Sequence, residues 1–391
     1  MDDLKTKDNF LEDKKIVLGL SGGIDSIVLL HYLHTHYPEN LRVIHCNHHL
    51  SKYANQWGDF CQKLCQDLKI KYDNIDIYLE NDANIEENAR KKRYYSLSRS
   101  LDKNEVLCTA HHQDDQAETL LLQLFRGSGV AGLASMPKMK HLGGGIHYRP
   151  MLNINKVQIV EYARQHKLNW IEDDSNKDVN FRRNFLRLDI LPKLSSVYKN
   201  LTKTLSRSAK HQSEALRLSR ELADIDLQKN NIINDSGRIN SEELGKLENH
   251  RIKNILRHHL SLFGFLAPTD KIMEQIIELL YAKSDAKPLV SWGEFEIRRY
   301  QNELYFINSN IDKNENSCPL HKEFENLPNF SIRYRSEGQR IKLPGKNHSQ
   351  SLKKVLQEAN IPPWERNSLK MYYIDDELRA MERIGRMENA E

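Results

Sequence analysis

Residues 16–30 have the sequence Ile16-Val17-Leu18-Gly19-Leu20-Ser21-Gly22-Gly23-Ile24-Asp25-Ser26-Ile27-Val28-Leu29-Leu30. An apolar run short enough for a buried strand meets two adjacent glycines, and apolar residues then resume at helical spacing. The stretch therefore predicts a strand, a tight loop and a helix. Paired glycines let backbone N–H groups converge on an anion, and the start of the helix adds its positive end. We interpret the loop as a phosphate cradle.

The side chains of the loop indicate which phosphate chemistry is involved. Ser21 and Ser26 add hydroxyl donors, and Asp25 is an oxygen ligand suited to the Mg²⁺ that accompanies a triphosphate. The loop lacks the lysine of the commoner G-x-x-x-x-G-K-[ST] motif. Ser-Gly-Gly-x-Asp-Ser resembles instead the loop of the N-type ATP pyrophosphatases, which split ATP between its α and β phosphates. The alternative is a Gly-Gly turn that only joins a strand to a helix. The predicted nucleotide-binding residues are Ser21, Gly22, Gly23, Ile24, Asp25 and Ser26.

Composition limits the class of protein. A chain of 391 residues with 39% apolar and 29% charged residues predicts two or three globular domains. The sequence contains no apolar stretch of bilayer-spanning length and no signal peptide, so we expect a cytoplasmic protein without a membrane segment. The five cysteines form no C-x-x-C pair and are expected to be reduced thiols. The net charge of +4 is modest, so a polyanionic partner would be bound by local patches.

Strands and helices alternate after the loop. Residues 26–36 predict a helix, residues 41–46 a second strand and residues 54–68 a second helix, which implies a parallel sheet of the α/β class. His48 and His49 follow the second strand, where they could contact nucleotide or lie in solvent. Residues 84–94 predict a helix capped by Asn84, on which Arg90 and Arg93 either face solvent or contact phosphate.

A group of polar residues follows the strand predicted at residues 106–110. His111-His112-Gln113-Asp114-Asp115-Gln116-Ala117-Glu118-Thr119 begins a helix at the edge where α/β sheets bind ligands. Helix capping explains one acidic residue, whereas three carboxylates beside two histidines favour Mg²⁺ ligation or general base catalysis. The helix ends at Arg126, and the glycines that follow suggest close backbone approach there. Arg126 is a candidate to stabilise phosphate in the transition state.

Two further arginines are candidates because of their spacing. Arg183 and Arg187 lie one helical turn apart, behind an acidic loop at residues 172–176, and paired guanidinium groups suit phosphate or carboxylate. From residue 198 to 220 the sequence predicts a basic helix that includes Lys203 and Arg207. This helix either contacts a nucleic-acid backbone or is a solvated linker.

Taken in order, these motifs resemble the tRNA(Ile)-lysidine synthetase family. The resemblance rests on residues 21–26, 84–94, 111–119, 126–133, 149–152, 170–176 and 182–187. It departs slightly at Met151-Leu152, where the family more often has two leucines. The helix at residues 351–359 with Ile361-Pro362-Pro363-Trp364-Glu365-Arg366 resembles the C-terminal domain of the long family members, although Trp364 read alone suggests a packed corner.

The resemblance implies an architecture. It consists of a parallel-sheet, Rossmann-like PP-loop ATPase domain at residues 1–197, a helical tRNA-binding or linker domain at 198–310, and a small α+β tRNA-binding domain at 311–391. Helices are expected in the middle domain at residues 241–263 and 269–282, with a hairpin at residues 292–300. Family members are often dimers, so the resemblance is compatible with a homodimer.

The resemblance also implies a reaction. The family uses ATP to join free L-lysine to carbon-2 of the wobble cytidine in tRNA(Ile) with a CAU anticodon, through an adenylated tRNA and with release of AMP and pyrophosphate. The loop, Asp25, Arg126 and Arg183 could hold pyrophosphate, Mg²⁺ and the phosphate charge. Asp115 or a neighbouring histidine is our hypothesis for the base that deprotonates lysine.

Three other interpretations stay open from the sequence. A tRNA thiolase would activate the same kind of carbonyl but usually carries C-x-x-C pairs, which this chain lacks. An amidotransferase synthetase would need an ammonia source, for which no motif is visible. A catalytically silent tRNA-binding protein would be free to lose Asp25, Asp115 or Arg126, and all three are present.

Overall fold

A computed structural model describes most of the chain. It covers residues 7–78, 85–172, 178–179, 181–229, 231–234, 237–265, 267–282, 288–308, 323–346 and 348–387. The predicted cap Asn84, most of the acidic loop and Cys318 lie outside the described residues. The chain divides into two compact units, Met1–Ser219 and Arg220–Glu391. The three domains proposed above, 1–197, 198–310 and 311–391, stay a prediction.

The first unit contains the predicted parallel sheet. Its six strands lie in the order β3-β2-β1-β4-β6-β5, and all pairs are parallel except β5 with β6. The antiparallel edge hairpin was not predicted from the sequence. The strands are β1 (Lys15–Gly19), β2 (Leu41–Asn47), β3 (Lys71–Asp76), β4 (Glu105–Cys108), β5 (Met139–Leu142) and β6 (Gly145–Tyr148).

The helices of this unit cover both faces of the sheet. The central residues of β1 are all apolar because both faces of the strand are buried. Ile16 and Leu18 pack into one core with the first helix, whereas Val17 packs into a second core with Leu97. The helices are α1 (Ile24–His36), α2 (Ala54–Asp67), α3 (Ile85–Arg99), α4 (Gln113–Phe125), α5 (Val130–Leu133), α6 (Lys156–Gln165), α7 (Arg182–Phe185), α8 (Leu191–Val197) and α9 (Leu201–Lys229). Helix α9 continues past Ser219 into the second unit.

The strand order fixes where a ligand can bind. β1 pairs with β2 on one side and with β4 on the other, so the chain changes direction across the sheet between β1 and β4. Ligands of open α/β sheets bind outside the carboxyl ends of the strands at such a point. The loop at residues 21–23 and the segment at residues 109–112 both leave the sheet at this edge.

The four described cysteines are free thiols, as expected. Cys61 and Cys65 are fully buried on α2 within the core, and Cys46 and Cys108 are also free thiols. Burial raises the pKa of Cys61 to about 12, so it is an unreactive packing residue.

The second unit contains helices and two small antiparallel sheets. The helix expected at residues 241–263 is interrupted near Lys246, and the hairpin expected at residues 292–300 is confirmed and extends into a four-stranded sheet, β7-β10-β9-β8. The elements are α10 (Ser241–Gly245), α11 (Asn249–Leu262), α12 (Asp270–Tyr281), β7 (Ile239–Asn240), β8 (Leu289–Trp292), β9 (Phe295–Tyr300) and β10 (Glu303–Asn308). The middle region is therefore helical with an added sheet.

The last part of the chain forms the small α+β region that was expected. Its sheet has the order β11-β14-β15-β16, and β12 pairs with β13. Trp364 forms the packed corner, with edge-to-face contacts to Tyr300 and Tyr305 at ring-centroid distances of 6.1 and 5.2 Å. The elements are β11 (Phe330–Arg333), β12 (Arg340–Ile341), β13 (Gln350–Ser351), α13 (Leu352–Glu358), β14 (Met371–Ile374), β15 (Glu377–Met381) and β16 (Gly385–Arg386). Among the described residues, no helix is both long and apolar enough to cross a bilayer.

Candidate active site

Gly22 determines the path of the loop between β1 and α1. It has a φ of +85°, and a Cβ at this position would lie 2.8 Å from Ile171 Cδ1 and 3.2 Å from Cys61 Sγ. The Gly22 carbonyl accepts a hydrogen bond of 2.9 Å from the Ile171 N–H. Only glycine fits both the left-handed backbone and the close neighbours. The loop is therefore held between α2 and the segment that follows α6.

The start of α1 is open to an anion. Gly23 is the N-cap and contributes no side-chain hydrogen bond, so the N–H groups of the first turn have no acceptor within the helix. Ser26 Oγ donates to the Gly23 carbonyl at 2.9 Å and accepts from Ser21 N and Ser21 Oγ at 3.3 and 3.1 Å. These bonds fix the loop backbone without blocking the helix terminus. Among the predicted loop residues Ser21 to Ser26, the donors left without a partner within the helix are therefore the backbone N–H groups of its first turn.

Asp25 lies in the first turn of α1 and faces two cations or potential cations. Lys156 Nζ donates to Asp25 Oδ1 at 2.5 Å, and His112 Nε2 lies 3.6 Å from the same oxygen. Lys156 was missed as a site residue because it follows an ordinary helix cap, Asn155, on an amphipathic helix. No feature of its local sequence distinguishes it from a solvated lysine.

The carboxylates after β4 are divided between capping and ion pairing. Asp115 Oδ2 accepts from the backbone N–H of His112 at 2.9 Å as part of a capping box, and Asp114 Oδ2 accepts from the N–H of Lys156 at 2.9 Å. His112 is 4% exposed, and its Nδ1 lies 3.6 Å from Asp114 Oδ2, too far for a hydrogen bond. Burial lowers the pKa of His112, but Asp114, Asp115 and Asp25 outweigh burial and raise the pKa overall.

Arg183 and Arg187 bind the two most buried carboxylates of α4. Arg183 donates from Nε to Glu118 and from Nη2 to Asp115, both at 2.6 Å. Arg187 donates from Nε and Nη2 to Glu118 at 2.7 and 2.9 Å. The expectation that the two arginines act as a pair is confirmed, with carboxylates as their partners. Within the described chain, these carboxylates are ion-paired instead of forming a cluster of metal ligands.

The charge of Asp115 follows from this network. Burial alone would raise its pKa, but His112, Arg183 and His111 hold the pKa well below its usual range. Asp115 is therefore ionised at neutral pH and is a weak base on its own.

Arg126 does not lie with the other predicted catalytic residues. It caps the C-terminal end of α4, is exposed, and lies roughly 16 Å farther along the helix axis than Asp115, from the rise per residue. The expected close backbone approach is wrong at Gly127 and Gly129, because a Cβ at either position would meet nothing within 4 Å. It is right at Gly132, where a Cβ would clash with the Ser128 side chain and lie 3.2 Å from Gln123 Oε1. Gly127 instead supplies the positive φ, +68°, that ends the helix.

The residues present fit a nucleotide triphosphate with Mg²⁺. The open start of α1 suits phosphate oxygens, and Lys156 and His112 add donors beside it. Within the described residues, no three His, Cys, Asp or Glu side chains converge on a metal site. Mg²⁺ is usually held by one or two carboxylates, substrate phosphates and water. Asp25 Oδ2 has no hydrogen-bond partner among the described residues, so its chemistry fits such a ligand.

Comparisons with known proteins agree along the whole chain. A PP-loop domain model matches residues 2–194, a TilS substrate binding domain model matches residues 240–305, and a TilS substrate C-terminal domain model matches residues 330–390. The tRNA(Ile)-lysidine synthase of Coxiella burnetii is 36% identical over 97% of this chain and 90% of that protein. The chain belongs to the tRNA(Ile)-lysidine synthase family.

A second lysidine synthase and the solved structure of a tRNA thiolase are also similar to this chain. The tRNA(Ile)-lysidine synthase of Legionella pneumophila strain Paris is 36% identical over 94% of this chain and 90% of that protein. A solved U34-tRNA thiolase from Methanococcus maripaludis is 20% identical with a TM-score of 0.45, over 55% of this chain and 77% of that chain. The whole-length match to lysidine synthases confirms the PP-loop fold and the family.

We predict that Gly22→Ala unfolds the loop region. The left-handed backbone and the contacts with Ile171 and Cys61 together should lower the free energy of unfolding by roughly 2–5 kcal/mol. The matched control is Gly264→Ala, since Gly264 has a φ of +71° and open space around its Cβ position. Gly264→Ala should lower the free energy of unfolding by only about 1–2 kcal/mol. Urea unfolding of both variants measures the difference, and equal costs would show that the loop is not held as described.

Proposed function

We propose that this chain is an ATP-dependent ligase that joins free L-lysine to carbon-2 of the wobble cytidine of tRNA(Ile) with a CAU anticodon. The observation that supports this most is the 36% identity to a tRNA(Ile)-lysidine synthase over 97% of the chain. The site adds a physical reason, because a cytosine carbonyl has a poor leaving oxygen. The oxygen must first be adenylated, after which AMP can leave as the amine attacks.

In the adenylation step, the loop and helix α1 hold the outer phosphates of ATP. The uncapped backbone N–H groups at the start of α1 are the donors, and the Ser21 and Ser26 hydroxyls hold the Gly22-Gly23-Ile24 backbone in place through their own hydrogen bonds. Lys156 places an ammonium at the same helix start. These donors stabilise pyrophosphate as the leaving group, and the α-phosphorus stays open to the base oxygen.

Mg²⁺ would be held by Asp25, and it would neutralise phosphate charge during transfer. Arg183 is proposed to stabilise the α-phosphoryl group. Its Nη1 has no partner among the described residues, whereas Nε and Nη2 are bound to Glu118 and Asp115. A role for Arg126 at the phosphate stays a prediction, since that side chain is exposed at the far end of α4.

In the second step, the amine of lysine has to lose a proton before it attacks. Free lysine has a pKa of about 10.4, so it is almost entirely protonated at neutral pH. Asp115, which is ionised and 8% exposed, can accept a hydrogen bond from the ammonium group. We propose that Asp115 or a neighbouring histidine removes this proton.

The remaining features of the proposal concern partners. Helix α9 carries exposed Lys203 and Arg207 and is proposed to contact the tRNA backbone. The family resemblance also leads us to propose a homodimer, which sedimentation would test, and a cytoplasmic location, where tRNA is modified.

Incorporation of radiolabelled lysine tests the function directly. Purified protein, ATP and Mg²⁺ should transfer lysine to unmodified tRNA(Ile) with a CAU anticodon and not to tRNA(Met). A thiolase would need a sulfur donor, an amidotransferase would need ammonia, and a silent binding protein would bind tRNA without releasing pyrophosphate. If lysine were not transferred and one of these results were observed instead, the proposal would be wrong and the corresponding alternative function would apply.

We predict that Asp25→Asn stops the first step. Loss of the metal-binding charge should lower pyrophosphate release by roughly 100-fold or more. The variant keeps the size of the side chain, and Asp59→Asn, an exposed change on α2, serves as the matched control. Normal pyrophosphate release by Asp25→Asn would contradict the assignment of Asp25.

We predict that Asp115→Asn separates the two steps. Pyrophosphate release in the absence of lysine should persist, and lysidine formation should fall by about 100-fold, within the usual range for loss of an acid–base group. Single-turnover measurement of adenylated tRNA and of lysidine distinguishes the steps. Lysidine formation at the full rate would refute the base hypothesis.

We predict that the double variant Lys203→Gln with Arg207→Gln weakens tRNA binding. The slope of log affinity against log salt should decrease by roughly 0.9 for each phosphate that α9 no longer neutralises. The double variant Lys63→Gln with Lys69→Gln removes the same charge from exposed positions around α2 and should leave the slope unchanged. An unchanged slope for the α9 variant would identify α9 as a solvated linker helix.

A further inference from the structure

A chain of hydrogen bonds connects Arg149 to the carboxyl end of β4. Arg149 Nη2 donates to His147 Nδ1 at 3.3 Å. His147 Nε2 is 2.8 Å from Thr109 Oγ1, and the same oxygen is 2.7 Å from His111 Nδ1. None of these four residues was singled out as catalytic by sequence reasoning, and only His111 belonged to a predicted polar motif.

The positions of the protons along this chain follow from donor and acceptor chemistry. A guanidinium only donates, so His147 Nδ1 has to accept and its proton is on Nε2. His147 Nε2–H then donates to Thr109 Oγ1. The single hydroxyl proton of Thr109 is left to donate to His111 Nδ1. His111 therefore carries its proton on Nε2.

Both histidines are held in the neutral form that this assignment requires. Burial, reinforced by Arg149, Lys140 and Arg90, lowers the pKa of His147 to about 2. Burial also lowers the pKa of His111 well below its usual value, although Asp115 opposes the shift. The residues whose charges act on His111 come from four separate segments, namely Arg90 on α3, Asp115 on α4, Arg149 after β6 and Arg183 on α7.

Burial and a second hydrogen bond hold the Arg149 guanidinium in place for its bond to His147. It is 2% exposed, and its Nη1 donates to the Pro137 carbonyl at 2.7 Å. His147 is fully buried and packs against Tyr94 at a ring-centroid distance of 5.3 Å. Arg149 and His147 are thus held in fixed orientations, and the hydrogen bonds from His147 onward orient the half-buried Thr109 and His111.

We propose that Thr109 and His147 are positioning residues that hold His111 as the Nε2–H tautomer, so that His111 donates this hydrogen bond to an anionic phosphoryl oxygen of the substrate. His111 Nε2 has no hydrogen-bond partner within the described residues, and the group lies at the strand edge where the phosphate cradle is. A neutral donor beside Arg90 and Arg183 adds a directed hydrogen bond without adding a further positive charge. This inference rests on the proposed adenylation chemistry.

The pair Thr109→Val and Thr109→Ser tests the relay. Valine removes the hydroxyl and keeps the shape of the side chain, whereas serine keeps the hydroxyl. Thr109→Val should lower kcat for adenylation by about 10–100-fold, the usual effect of losing a partner that orients a functional histidine, with little change in KM for ATP. Thr109→Ser should restore most of the activity. Thr35→Val, an exposed change on α1, is the control.

A second pair tests the donor atom itself. The amide nitrogen of glutamine can take the place of His Nε2, whereas the amide of asparagine reaches only the position of Nδ1. His111→Gln should therefore retain more adenylation activity than His111→Asn. Equal loss in both variants would show that Nε2 is not the functional atom.

The tautomer of His111 can be measured by NMR without any enzymatic reaction. Nitrogen NMR of the full chain with ring-labelled histidine, assigned by the loss of one signal in His111→Gln, should show His111 protonated on Nε2 in wild type and Thr109→Ser. Thr109→Val should show a mixture of tautomers. Protonation on Nδ1 in wild type would overturn the inference, as would full activity of Thr109→Val or failure of Thr109→Ser to restore activity. If wild type formed no lysidine, the proposed function would fail, and the NMR result would still decide the tautomer.

Discussion

The site depends on one steric constraint, the contact of Gly22 with Ile171 and Cys61. The left-handed backbone at Gly22 turns the chain from β1 into α1, and the absence of a side chain lets the loop lie against its neighbours. Because the loop is held in this way, the N–H groups at the start of α1 face the edge of the sheet without a capping side chain. The geometry of the proposed phosphate site therefore depends on packing that belongs to the core.

Around this loop the charges are arranged in two different ways. On α4, two carboxylates are matched by the two guanidinium groups of Arg183 and Arg187, so this network is close to neutral and geometrically fixed. On the side of β6, Lys140 and Arg149 lie near Arg90 around Tyr94. Burial of His147, and then the positive charges of these three residues, keep His147 uncharged. The site thus offers fixed carboxylates for an amine and neutral or cationic donors for phosphate. Both are needed by a reaction that transfers an adenylyl group and then an amine.

Much of the fold could be predicted because its signals are local. The apolar run at residues 16–18 and the paired glycines predicted the strand, loop and helix without tertiary information. The polar residues after β4 marked the right place in the sheet, but their sequence did not show that Asp115 and Glu118 are paired with arginines. The edge hairpin β5–β6 and the sheet around β9 were missed because short antiparallel strands carry weak local patterns. In the site, Asp25, Asp115 and Arg183 were predicted and lie within one connected network through His112.

The residues that were missed have no local signature. Lys156 acts through an ion pair across 131 positions of sequence, and His147 reaches Thr109 across 38. For Arg126 the glycine-rich context suggested close backbone approach, which the structure shows at Gly132 but not at Gly127 or Gly129. Spacing along the chain could identify functional groups, but it could not say which of them meet in three dimensions.

The most direct test of the proposed chemistry is which bond of ATP breaks. Phosphorus NMR of a reaction with ATP, Mg²⁺ and tRNA(Ile) identifies the products without a label. AMP and pyrophosphate should form in equal amounts, and their formation should depend on the tRNA. Formation of ADP and inorganic phosphate would mean that the loop binds the nucleotide for cleavage between the β and γ phosphates, and would contradict the proposed chemistry.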